Sequence, residues 1–203
     1  MLYVSSQSSE AGKVSVKLQQ GDDTHTIRTL PAGTSYVANL TKYSGDWYVA
    51  VGAASEGKAY VYKNPVAMLQ DQKVTVPVRI LKVANLNYLT FSNNARFIMA
   101  EQGSHFAVYD AENNKGYAYT LKNALDAPQE HAMWMDGHRI MLISNGKVVV
   151  VDFDGANERS LVTTNSQFLP YFDRDYQYLY TITGPADAAN QLQKTPLRTS
   201  QDL

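Results

Sequence analysis

The chain contains no cysteine. That removes a disulfide framework, a thiolate metal site and a cysteine nucleophile together. No apolar run reaches 18 residues, so no stretch reads as a membrane-spanning helix. Met1 to Glu10 lacks a basic region followed by an apolar stretch, so it is not a signal peptide. Charge is scarce too. Lys plus Arg is 18 and Asp plus Glu is 19, giving a net charge of −1 and 18% charged residues, against about 25% in typical domains. Without a basic excess there is no electrostatic footprint for nucleic acid, and no nucleic-acid partner is expected. A G-x-S-x-G elbow and a Gly-rich phosphate cradle are also missing.

What is present is strand sequence. Short period-2 runs recur between Gly, Asn, Asp and Ser. Examples are Val14 to Leu18, Trp47 to Val51, Arg96 to Ala100, Lys147 to Val151 and Tyr176 to Ile182. β-Branched and aromatic residues between turn signals specify β-strands. Pro65 to Gln72 and Asn123 to Glu130 each read as one helical turn or a loop. The chain is therefore all-β. Its 203 residues suffice to bury a core without staples, about 70% of the unfolded surface.

The runs repeat. A basic residue or His stands three residues before a strand centre at Lys13, Lys58, His105 and Lys147, at intervals of 45, 47 and 42. Turns precede the neighbouring strand of each copy at Ser44-Gly45-Asp46, Asn93-Asn94-Ala95, Asp136-Gly137-His138 and Asp173-Arg174-Asp175. A period near 45 with four strands per period predicts a β-propeller of four-stranded antiparallel blades. The length gives about 4.5 blades, as a partial propeller or a five-bladed one. The blades fall at residues 1–30 (partial), 34–81, 82–122, 129–164 and 167–203 (partial). The first reads as lacking its innermost strand and the last its outermost. This predicts one propeller domain or fragment whose natural chain continues upstream.

One copy carries a family likeness. Val150-Val151-Asp152-Phe153-Asp154-Gly155 through Val162 resembles the third strand, hairpin and fourth strand of TolB-like propeller repeats. Phe168 to Tyr180 resembles their Pro-x-φ-Ser-Pro-Asp-Gly segment, with Asp173-Arg174-Asp175 where the family has Ser-Pro-Asp-Gly. The closing Lys194 to Thr199 is similar to propellers that follow PEGA-type domains in membrane-anchored bacterial proteins. The resemblance implies a bacterial cell-envelope protein, extracytoplasmic and tethered through a segment upstream. The absence of cysteine fits that setting, although cytoplasmic domains also lack it.

Polar clusters supply the candidate sites. Asp152, Asp154 and Asn157 alternate around Gly155, a spacing that a hard cation can use. Thr163, not an acid, stands at the twelfth loop position, and Asp-Gly between apolar strands is first of all a hairpin signal. His131 and His138 are seven apart, about 20 Å along a strand, too far to share a metal unless the chain turns back at Asp136-Gly137, and they read as polar surface. No cofactor is expected. Aromatics crowd at Tyr171, Phe172, Tyr176, Tyr178 and Tyr180. Tyr178 and Tyr180 read as packing between blades, and Tyr171, Arg174 and Tyr176 as exposed. Trp47 and Trp134 read as core.

These features predict a non-catalytic binding or scaffold module. It would recognise a protein, peptide or glycan through rim loops carrying Asn93, Asn94, Asp136, His138, Tyr171, Asp173, Arg174, Asp175 and Tyr176. The alternative is a carboxylate-using glycoside hydrolase or lyase at the channel, which needs two converging acids. The first-strand candidates Tyr36 to Thr41, Leu86 to Phe91 and Ala132 to Met135 hold none. On that ground the chain reads as not an enzyme.

Overall fold

A computed structural model describes residues 1–6, 10–33, 35–72, 74–126, 131–184 and 189–197. The chain forms two compact units, Met1–Thr120 and Leu121–Leu203. Every sheet is an antiparallel meander whose strands lie in sequence order.

The first unit holds three sheets. Sheet 1 joins β1 (Leu2–Ser5), β2 (Lys13–Gln20) and β3 (Asp23–Pro31). Sheet 2 joins β4 (Tyr36–Tyr43), β5 (Asp46–Ala53), β6 (Lys58–Lys63) and β7 (Arg79–Lys82), with helix α1 (Pro65–Gln72) between β6 and β7. Sheet 3 joins β8 (Tyr88–Phe91), β9 (Phe97–Gln102), β10 (His105–Asp110) and β11 (Lys115–Thr120). Met1 and Trp47 line one cleft. The inner face of sheet 1, with Val14, Val16, Ile27 and Leu30, packs on Val49, Val51, Tyr60 and Tyr62 of sheet 2.

The second unit holds two sheets. Sheet 4 joins β12 (Met133–Trp134), β13 (Arg139–Ser144), β14 (Lys147–Asp152) and β15 (Arg159–Thr163). Sheet 5 joins β16 (Tyr171–Phe172), β17 (Tyr178–Thr183) and β18 (Gln191–Pro196). Met135, Met141, Val148, Val150 and Leu179 form the core between them.

Burial follows strand position. β9, β10, β13 and β14 are buried along nearly their whole length, on both faces. The period-2 reading of Arg96 to Ala100 and Lys147 to Val151 is corrected here: with both faces covered, these strands are unbroken apolar runs rather than alternations. The fourth strand β11 alternates between half-buried and exposed residues. Each fully buried Val, Leu or Ile contributes about 1.5–3 kcal/mol over an exposed one, so the second and third strands supply most of the stability.

Local signals fix the connections. Asn145 and Gly146 both take positive φ, 51° and 67°, in the two-residue turn between β13 and β14. This is the primed-turn geometry that Asn-Gly favours. The Asp126 carboxylate closes that turn, accepting from the Asn145 and Gly146 N–H groups at 2.9 and 2.6 Å. Gly52 answers a different need. A Cβ there would lie 2.5 Å from the Lys58 carbonyl oxygen and 2.7 Å from Leu86.

Two expectations change. Pro65–Gln72 is an eight-residue helix, with Pro65 at the start where its missing N–H costs nothing. Asn123 to Asp126 is not helical, and residues 127–130 lie outside the described residues. Trp47 is not core: it is 49% exposed, because it opens β5 before that strand enters the sheet interior. Arg198 and Thr199, which close the PEGA-like stretch, lie outside the described residues.

Candidate functional site

β4 and β5 are joined by a two-residue turn at Ser44 and Gly45, whereas the turns before β9, β13 and β17 share one construction. Main-chain bonds close them at Ser92 to Phe97, Met135 to Arg139 and Asp173 to Tyr178. In each, a short polar side chain near the start accepts backbone N–H groups. Asn94 Oδ1 accepts from Arg96 N at 3.2 Å and from the Ser92 hydroxyl at 2.7 Å. Asp136 Oδ1 accepts from His138 and Arg139 N–H, both at 2.7 Å. Asp173 Oδ1 accepts from Gln177 and Tyr178 N–H at 2.7 and 3.0 Å. Asx side chains do this because they mimic a backbone carbonyl two residues on. Asn94, Asp136 and Asp173 are therefore occupied in building their turns.

In the second unit these turns adjoin a cleft of about 670 Å³ between sheets 4 and 5. Met135, Val150, Phe172 and Leu197 supply its apolar lining. Arg139, Arg159, Asp152 and Asp175 supply two charges of each sign, and Tyr176 and Asn157 complete it. The Tyr176 phenol donates to the Met135 carbonyl at 3.0 Å, tying the sheet 5 turn to sheet 4. Tyr176 itself has φ of 54°, unusual for an aromatic residue. The Arg139 guanidinium lies 5.8 Å from the Tyr176 ring centre. It also grips Asp136 through Nε at 2.7 Å and Nη2 at 2.6 Å. Burial works against the charged Asp136 carboxyl. The two backbone N–H groups and Arg139 outweigh it and hold the pKa below the ordinary carboxylate range.

Of the residues singled out from sequence, Asp152, Asn157, Asp175 and Tyr176 line this one cleft. Tyr171 is 65% exposed on β16, and Arg174 is exposed at the turn that follows. Arg174, Asp175 and Arg159 have no hydrogen bond or ion pair among the described residues. His138 packs edge-on against Phe153, ring centres 6.5 Å apart. Asn93 and Asn94 belong to the other unit, in the turn before β9. At the candidate cation loop, Asn157 Nδ2 donates to Asp152 Oδ2 at 2.7 Å, and Asp154 Oδ1 accepts from Ala156 N at 3.0 Å. These oxygens serve the hairpin. Among the described residues no three His, Asp or Glu converge as metal ligands. Sequence reasoning missed Arg139 and Arg159, which lie on different strands and meet only through sheet packing.

No protein-family model matches the chain, and no curated protein matches it in sequence. Solved structures do match. The dihydro-heme d1 dehydrogenase NirN, in complex with DHE, aligns over 97% of this chain with a TM-score of 0.54 and 14% identity. TolB from Acinetobacter baumannii aligns over 96% at 0.42 and 15%. The Pseudomonas aeruginosa periplasmic gluconolactonase PpgL aligns over 97% at 0.44 and 11%. The chain spans 41% of the NirN chain, 48% of TolB and 70% of PpgL. With its four-stranded antiparallel meanders, the chain is a β-propeller protein. The likeness extends to the fold alone.

One expectation is corrected at this point. The chain was read as not an enzyme because its first strands lack acids, yet the solved structure it matches at a TM-score of 0.54 is a dehydrogenase. Propeller chemistry lives in sites grafted onto the fold. Empty first strands therefore do not exclude it. Here the cleft acids, Asp152 and Asp175, come from a third-strand end and a turn.

Proposed function

We propose that this chain is a recognition module of the bacterial cell envelope whose second unit binds a partner polypeptide at the cleft between sheets 4 and 5. The observation that carries this reading is the cleft's composition: an apolar floor bordered by Arg159 and Asp175, neither of whose side chains is ion-paired among the described residues. A polypeptide offers apolar side chains and both signs of charge at short spacing. Tyr171 and Arg174 extend the surface beside it, and Tyr and Arg are the side chains most enriched at binding hot spots. The TolB-like repeats and the cysteine-free sequence support an extracytoplasmic, membrane-tethered setting. Among the described residues no helix is long and apolar enough to cross a membrane.

The test compares capture from envelope extract by the unaltered chain, Tyr171→Ala and Arg174→Ala. Circular dichroism checks that each variant keeps its strands. Each substitution is expected to lower capture of a specific partner by about tenfold. Equal capture by all three proteins overturns the reading. A second reading rests on Asp152 and Asp175 lining one cleft: carboxylate-assisted hydrolysis of a glycoside. Release of nitrophenol from aryl glycosides, abolished in Asp152→Asn and Asp175→Asn, is its expected mark.

A further inference from the structure

The first unit carries a separate cleft of about 450 Å³ with a different character. Its apolar wall is the exposed indole of Trp47 with Leu18, Leu40 and Pro65, and its polar side chains are the amides of Asn64, Gln19, Gln20 and Gln70, of which Gln19 donates to the Gly21 carbonyl at 3.2 Å. No Asp, Glu, Lys, Arg or His lines it, and the Met1 ammonium at its edge donates to the Gln19 carbonyl at 2.8 Å. The Trp47 main chain is held in place. Asn64 N–H donates to the Trp47 carbonyl at 2.7 Å, and Trp47 N–H donates to Asn64 Oδ1 at 2.8 Å. Asn64 is held in turn, because its Nδ2 donates to Asp46 Oδ1 at 2.7 Å and Asp46 pairs with Lys63. Asn64 takes a positive φ of 46° to make these contacts and leads directly into α1, which delivers Gln70. The amides of Gln20 and Gln70 have no partner among the described residues.

We propose that this cleft binds a short neutral oligosaccharide. A pyranose ring presents an apolar C–H face and an equatorial rim of hydroxyls. The face matches a flat, exposed indole, and large aromatics with a polar handle suit such mixed surfaces. The hydroxyls both donate and accept, as do primary amides, and as charged side chains do not. Apolar walls with a few convergent polar groups are the general form of small-ligand sites. A purely apolar ligand leaves the Gln20 and Gln70 amides without use, and an ionic sugar finds no charged side chain to pair with.

The experiment follows the Trp47 indole N–H resonance of the isotope-labelled chain, assigned with Trp47→Phe. Maltotriose, cellotriose and triacetylchitotriose are titrated to about 10 mM, with sialyllactose and N-acetyl-leucinamide as charged and apolar comparators. At least one neutral trisaccharide is expected to shift the resonance saturably, with a Kd of about 0.1–5 mM. Calorimetry then compares variants. Trp47→Ala should abolish binding, Trp47→Tyr should keep it within about tenfold, and Gln20→Ala with Gln70→Ala should weaken it about threefold or more. Because Trp47 is half exposed, both Trp variants are expected to fold, checked by their thermal transitions. The proposal fails if no neutral trisaccharide shifts the resonance. It fails equally if affinity is unchanged in Trp47→Ala, or if either comparator binds more tightly than every neutral sugar.

Discussion

Sheets 3 and 4 place the same two residue types at matching positions and use them differently. Each has an arginine where its second strand begins, Arg96 and Arg139, and an aspartate at the end of its third, Asp110 and Asp152. In sheet 3 the pair closes. Arg96 reaches Asp110 through Nε at 2.9 Å and Nη2 at 2.7 Å and also contacts Glu112. Asp110 is fully buried and further accepts from the N–H groups of Glu112 and Asn113 and from Asn113 Nδ2. In sheet 4 the strand register differs by one residue. Asp110 lies opposite Phe97, whereas Asp152 lies opposite Arg139 itself. Arg139 is drawn to Asp136 in its own turn, and Asp152 is left at the cleft with Asn157. One arrangement neutralises a buried charge. The other leaves an acid available to a ligand. The difference lies in pairing geometry, not in composition.

The largest effect expected from breaking this contrast is at Asp110. Asp110→Ala takes from the mostly buried Arg96 guanidinium its bidentate partner and leaves it only Glu112, and denaturant unfolding should show a loss of roughly 3 kcal/mol, as for a broken buried ion pair. Acid should report the same pair. Burial opposes the Asp110 charge, but Arg96 and Asn113 outweigh it and lower the pKa below 3.8. A carboxyl whose folded pKa is lower than its unfolded value stabilises the fold fully above that unfolded value and loses the contribution as pH falls through the folded one. Asp136 is shifted the same way. Thermal midpoints of the unaltered chain should therefore fall as pH drops below about 4, and Asp110→Asn should flatten the slope.

Smaller effects are expected on the open side. Tyr176→Phe removes the bond to the Met135 carbonyl and should cost about 1 kcal/mol in the same unfolding measurement. Asp152→Asn should change stability by no more than about 0.5 kcal/mol, since Asp152 makes no ion pair among the described residues. A larger loss at Asp152 than at Asp110 would abolish the distinction between the two corners.

The architecture was legible because period-2 alternation and a 45-residue recurrence are properties of the chain itself. The strand runs and the turns before second strands can be read without knowing what packs where. The pairing of Arg96 with Asp110 was not legible. It depends on register, and the two residues stand 14 apart with a hairpin between them. Trp47 misled for a related reason: an aromatic at the head of an apolar run looks buried unless the strand is known to begin outside the sheet. Asp152, Asp175 and Tyr176 could be singled out one by one, but their meeting beside Arg139 and Arg159 is a product of sheet 4 packing on sheet 5.

The turn at Asn145 and Gly146 bears on the chemical lifespan of the protein. Asn-Gly is the sequence in which the backbone nitrogen of the glycine most readily attacks the asparagine side chain, releasing ammonia and leaving a succinimide that opens to isoaspartate. Here that nitrogen's hydrogen is held by the Asp126 carboxylate at 2.6 Å, and the turn is fixed between two buried strands. Asp126 therefore slows ageing at this bond, and storage of Asp126→Ala at warm, mildly alkaline pH should show isoaspartate at residue 145 forming several times faster than in the unaltered chain.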